Sequence, residues 1–70
     1  MNLSEIRALS DNEIRARIVD AREELMNLRF QLSTGELTDF TRLRYTRKTI
    51  ARLLTVLSER EKMAEMEGES

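Results

Sequence analysis

The stretch SDNEIRARIVDAREELMNLRFQL, residues 10–32, decides the fold. Its apolar residues Ile14, Ile18, Ala21, Leu25, Leu28 and Leu32 follow steps of four and three without a break, which makes them the seam of a helix packed on another helix. Ser10-Asp11-Asn12-Glu13 reads as a capping box, so the helix is predicted to start near Asp11. In that motif the Ser10 hydroxyl accepts from the Glu13 amide and the Glu13 carboxylate reaches back to the Ser10 amide, while Leu9 and Ile14 sit where a hydrophobic staple closes the turn.

Downstream, Ser33-Thr34-Gly35 stops the pattern, and Gly35 suits the positive-φ position that commonly follows a helix C-terminus. Thr38 or Asp39 can cap a second helix, expected from about Phe40 to Lys62 with Phe40, Leu43, Ile50, Leu53, Leu54 and Leu57 as its stripe. A short glycine-centred loop makes the two helices antiparallel. Counting outward from the loop pairs Leu32 with Phe40, Leu28 with Leu43, Ala21 with Ile50, Ile18 with Leu54 and Ile14 with Leu57. Upstream, Asn2-Leu3-Ser4-Glu5 looks like a cap for a single turn carrying Leu3, Ile6 and Leu9, packed back over the open end. After Lys62 the acidic MAEMEGES offers no sustained stripe and is expected to fray. The expected fold is therefore all-α: an antiparallel, coiled-coil-like two-helix hairpin with a short N-terminal helical turn. Residues 1–62 form the hairpin domain and residues 63–70 an acidic C-terminal tail.

Seventy residues hold one domain near the lower limit for a stable core. Cysteine, histidine, proline and tryptophan are absent, which removes disulfides, zinc fingers and any step that needs imidazole or thiol. Two phenylalanines and one tyrosine are too few for a base-stacking sheet. No apolar run approaches the roughly 20 residues that cross a bilayer, and MNLSEIR lacks the pattern of a secretion signal. The expected location is the cytoplasm, with no membrane partner. The formal net charge of -1 hides segregation: residues 1–24 carry -2, residues 25–58 carry +4 and residues 59–70 carry -3. The middle third is the part that attracts a polyanion.

Arg42, Arg44, Arg47, Lys48 and Arg52 occupy eleven residues with no acid among them. A solvated helix face is the bland reading, but a face built for solubility normally mixes signs. Arg44, Arg47, Lys48 and Arg52 fall within one arc of roughly 140°, and Ala51 inside it lets a phosphate backbone come close. On the first helix Arg15, Arg22 and Arg29 recur every seven residues along one flank of the seam, with Glu13, Asp20 and Glu24 along the other. Such flanking charges can also do no more than set helix pairing. Val19, Met26 and Phe30 form an apolar strip away from the seam, either covered by a protein neighbour or ordinary surface hydrophobes. A hairpin has no enclosed pocket for the carboxylates, Gly35 stands alone rather than in a phosphate loop, and no EF-hand loop is present, so no enzyme, metal, cofactor or small-molecule substrate is expected.

At these residues the chain resembles the family of the bacterial large-subunit ribosomal protein numbered twenty-nine, from about Leu3 to Arg60. Asn27-Leu28-Arg29-Phe30-Gln31 is similar to the family's N-L-R-x-Q stretch and Gly35-Glu36-Leu37 to its G-x-L turn. Arg47-Lys48-Thr49-Ile50-Ala51-Arg52 is similar to its basic-basic-x-I-A-R motif, with Thr55 following at the family's spacing. The resemblance implies a structural, non-catalytic constituent of the large ribosomal subunit that binds ribosomal RNA near the exit of the polypeptide tunnel. It implies the large-subunit protein numbered twenty-three as a neighbour and a surface on which factors meeting the nascent chain assemble. Carried over by position, Arg29, Arg47, Lys48 and Arg52 are expected at phosphates, with Asn27 and Gln31 as weaker polar contacts. Arg15, Arg22, Arg44, Ala51 and Thr55 complete the expected RNA-binding set. The chain departs from the family in its acidic tail and a pI near 5.5, so no RNA contact is expected beyond about Arg60. The competing reading is a small antiparallel coiled-coil module that docks a protein partner. Salt separates the two, because phosphate binding weakens steeply with salt and a leucine seam hardly responds.

Overall fold

Asn2, Ser10 and Asp39 each place a side-chain acceptor at the start of a helix, and these three caps divide the chain. In the computed structural model, which describes residues 1–36 and 39–68, the helices are α1 (Leu3–Arg7), α2 (Asp11–Ser33) and α3 (Thr41–Gly68). The Glu5 amide donates to Asn2 Oδ1 at 2.8 Å and the Glu13 amide to Ser10 Oγ at 3.2 Å. The capping box closes differently from the sequence expectation: the Ser10 hydroxyl, rather than its amide, donates to the Glu13 carboxylate at 3.1 Å. One hydroxyl thereby serves as both acceptor and donor. The Thr41 amide donates to Asp39 Oδ1 at 2.9 Å, and this bond holds the Asp39 carboxyl below its usual pKa. Its stabilising effect is complete above the ordinary aspartate range and fades as pH falls through the lowered value. The alternative cap Thr38, and Leu37 of the G-x-L turn, lie outside the described residues.

α2 ends in a Schellman motif. The Gly35 amide donates to the Leu32 carbonyl at 3.2 Å and the Glu36 amide to the Gln31 carbonyl at 2.9 Å. Gly35 has φ 78°, and a Cβ added there meets nothing within 4 Å. The penalty for a side chain is thus one of backbone conformation alone. Gly35→Val should cost about 1–2 kcal/mol and lower the thermal midpoint by several degrees, whereas Glu36→Ala should change it little. Circular dichroism melts of the two variants check this, and equal midpoints would refute it.

α2 and α3 pack antiparallel, and α1 folds back against α3 at the open end. Ion pairs hold the register there: Arg60 with Asp11 at 2.7 Å and Arg7 with Glu59 at 3.7 Å. Arg60 also donates to the Arg7 carbonyl at 3.1 Å. Nearer the loop, Arg42 pairs with Glu24. As exposed pairs they are each worth at most about 1 kcal/mol, so burial and not charge carries the fold. The core is a cluster of Ile6, Ile14, Ile18, Leu53 and Val56, with Met1, Leu9 and Leu57 packed against it. The staple residues Leu9 and Ile14 both belong to it.

The expected α2 seam holds at Ile14, Ile18, Ala21 and Leu28, which are buried. The α3 seam is rotated from the expected one. Leu53 is 0% exposed and Val56 and Thr46 are buried, whereas Leu54, matched to Ile18 by spacing, is 41% exposed. The cause is α1: it covers only one broad side of the hairpin, and the α3 residues turned to that side become the interior. Thr46 is tolerated inside because its hydroxyl donates to the Arg42 carbonyl at 2.9 Å within its own helix. Leu32 and Phe40, matched next to the loop, stay 39% and 47% exposed, beyond the reach of α1 at the open end. α3 continues to Gly68 rather than stopping near Lys62, since Met63-Ala64-Glu65-Met66-Glu67 contains no helix breaker.

The result is a rod of 54 × 19 × 15 Å. Its radius of gyration of 15.0 Å exceeds the roughly 11 Å of a compact chain this long. Such a shape is nearly all surface, so function resides on its faces. Among the described residues no helix is long and apolar enough to cross a membrane.

Candidate nucleic-acid interface

Heptad arithmetic on each helix separates two broad faces, because residues seven apart share a flank. On α2, Arg15, Arg22 and Arg29 run along one flank. They rim two adjoining hollows between the helices, one lined by Arg15, Ile18, Val19, Arg22, Leu54 and Leu57, the other by Arg22, Leu25, Met26, Arg29 and Ile50. Arg47 lies seven residues before Leu54 and so joins the same face from α3. The opposite face carries α1. There Met1, Arg17, Asp20, Glu24, Tyr45 and Thr49 line a further hollow floored by Ala21 and Leu53.

Every residue of the expected RNA-binding set is exposed, as a phosphate contact requires. They do not all share one face. Arg15, Arg22 and Arg29 line the hollows, Arg47 lies on the same face by its spacing from Leu54, and Arg44 and Ala51 lie on the crest of α3 beside Arg47. Lys48 and Thr55, again seven apart, follow on the crest, where the Thr55 hydroxyl is occupied by the Ala51 carbonyl at 2.8 Å. Arg52 shares the flank of Tyr45, seven residues before it, and turns to the opposite face, where its Nη1 donates to the Met1 carbonyl at 3.1 Å. Asn27 and Gln31 continue the line of Asp20 and Glu24, so they too fall on that opposite flank.

Electrostatics distinguish the faces further. Among the described residues no carboxylate pairs with Arg15, Arg22, Arg29, Arg44, Arg47 or Lys48, whereas Arg7, Arg42 and Arg60 are all paired. These six cations gather on one face and crest, against Arg17 and Arg52 on the other, which leaves their field available to an external anion. On the other face Arg42 is bound to Glu24 and its guanidinium lies 5.5 Å from the centre of the Tyr45 ring. The Met1 ammonium donates to the Tyr45 hydroxyl at 2.8 Å and lowers the Tyr45 pKa. Spacing within one helix could not reveal these ties of Arg52 and Tyr45 to Met1, since the partners are 51 and 44 residues apart. The described residues contain no cluster of acids able to hold a metal ion.

Comparison with known proteins follows the same line. A family model described as Ribosomal L29 protein matches residues 4–60. The large ribosomal subunit protein uL29 of Staphylococcus aureus strain JH9 is 56% identical over 61 residues, which cover 87% of this chain and 88% of the relative. The protein of the same name from Staphylococcus carnosus strain TM300 gives the same identity and coverage.

Proposed function

The chain belongs to the Ribosomal L29 protein family and is a structural protein of the large ribosomal subunit, in the cytoplasm; from that premise we propose that it binds large-subunit ribosomal RNA through the arginine face and the crest of α3. The single observation that carries this reading is the gathering of six cations without a carboxylate partner, Arg15, Arg22, Arg29, Arg44, Arg47 and Lys48, on one side of a chain whose net charge is -1. Arg15, Arg22, Arg29, Arg44, Arg47 and Lys48 hold phosphates, and Ala51 permits close approach. Arg52 contributes beside the N-terminal segment, and Asn27, Gln31 and Thr55 make the outer polar contacts. No step of catalysis is assigned to it, because among the described residues the rod encloses no site where a reacting group could be held away from water.

The likeness to the family further supports a position near the polypeptide tunnel exit, beside the large-subunit protein numbered twenty-three and within reach of factors that meet the nascent chain. A second reading, that the hairpin docks a protein, draws on Val19, Met26 and Phe30, which are 56%, 71% and 65% exposed. We combine the two: RNA holds the arginine face together with Val19 and Met26, which line its hollows, and a protein neighbour covers Phe30 beyond them. RNA contact ends with the hairpin domain of residues 1–62. The segment of residues 63–70 takes no part, since Glu65, Glu67 and Glu69 repel phosphate.

Binding to deproteinised large-subunit ribosomal RNA at increasing salt tests the proposal. With five or six phosphate contacts, log affinity should fall against log salt with a slope of about -4 to -5. Removing residues 63–70 should leave that slope unchanged. A flat salt response, or a slope that depends on the tail, would contradict the proposal.

A further inference from the structure

The arginine face is not a plain row of charges. Its two hollows share Arg22 and have apolar floors: Ile18, Val19, Leu54 and Leu57 in one, Leu25, Met26 and Ile50 in the other. Every charged side chain lining them is an arginine. An uninterrupted A-form helix presents phosphates and 2′-hydroxyls to such a surface and leaves these apolar side chains uncovered. A base turned out of a bulge or loop has two flat apolar faces and phosphates on either side of it.

We propose that the hollows between α2 and α3 receive an unpaired nucleobase of the bound RNA, seated on Leu54 and Ile50, while Arg15, Arg22 and Arg29 hold the phosphates that flank it. This rests on the reading of the arginine face as the RNA interface. Successive arginines of the row stand about 10.5 Å apart along α2, so each hollow has a cation at either end. Guanidinium planes suit the position, since they can stack on a base while donating to a phosphate. Exposure fits as well: Leu54 keeps 41% of its surface exposed at the hollow, and that is the part a base would cover. The opposite face does not match it, because its hollow mixes signs, with Asp20 and Glu24 beside Arg17, and offers no row of cations for flanking phosphates. A protein side chain would fill the apolar floor but would leave the three rim arginines without counter-charges.

Three RNAs with one stem test the inference on the full chain by fluorescence anisotropy: an uninterrupted duplex, the same duplex with a single-nucleotide bulge, and that bulge made abasic. The bulged RNA should bind about tenfold tighter than the duplex. The abasic bulge should fall back to the duplex value. Leu54→Ala, with its helicity confirmed by circular dichroism, should cut the bulge-to-duplex ratio about threefold. Equal, salt-dependent binding of all three RNAs, or an unaltered ratio in Leu54→Ala, would overturn the nucleobase site and leave the interface standing. Absence of salt-dependent binding to any of them would overturn the interface and the nucleobase site together.

Discussion

Reversing Arg22 and Arg47 together to glutamate should lower affinity for large-subunit ribosomal RNA by at least about a hundredfold. Each side chain is exposed and has no carboxylate partner among the described residues, so its whole charge is available to phosphate. A hydrogen bond to a charged group contributes about 1.5–3 kcal/mol, and two lost contacts already reach the hundredfold range before the new repulsion is counted. Arg22 stands at the junction of the two hollows and Arg47 continues the same face from α3. Arg42→Glu is the control. It lies on the other face in an ion pair with Glu24, so its reversal should disturb a surface pair and leave RNA binding nearly intact. Filter binding at fixed salt compares the double reversal, Arg47→Glu alone and Arg42→Glu. If Arg42→Glu weakened binding as much as Arg47→Glu, the division into two faces would be wrong.

Leu53→Ala should unfold most of the protein at 37 °C, whereas Leu54→Ala should be nearly silent in a thermal melt. Leu53 is fully buried among α1, α2 and α3. Truncating such a leucine costs about 2–5 kcal/mol. A core of this size supplies only about 3–5 kcal/mol of net stability, so the substitution consumes most of it. Leu54, one position on, is largely outside the core and its truncation should cost less than about 1 kcal/mol. The contrast matters because spacing alone makes the two residues equivalent members of one stripe. Similar melting midpoints for the two variants would mean that α1 does not hold α3 in the observed rotation.

Much of the fold was legible because its signals are local. The Ser10 cap, the α2 seam and the stop at Gly35 depend on residues within a turn of one another, and each lies where spacing placed it. The rotation of α3 was not legible. Leu54 and Val56 are both good seam candidates by period, and the choice between them is made by Ile6, about fifty residues away in sequence. The same distance hid the fate of Arg52: the basic run reads as one row, but the capture of its guanidinium by the Met1 carbonyl is visible only once α1 is folded back. Asn27 and Gln31 show a different limit. A motif names them together with Arg29, yet their steps of seven from Asp20 and Glu24 put them on the opposite flank, which periodicity could have revealed. The acidic end of α3 was read as frayed from its lack of a stripe, although helix propensity without packing suffices to continue a helix already nucleated by the hairpin.

If one face of the rod carries the RNA, ultraviolet cross-linking within intact large ribosomal subunits, with cross-linked peptides identified by mass spectrometry, will locate it. RNA adducts are expected on peptides containing Arg22, Arg29 and Arg47, and none on the segment of residues 63–70. Adducts concentrated around Asp20, Glu24 and Tyr45, with the arginine face unmodified, would contradict it.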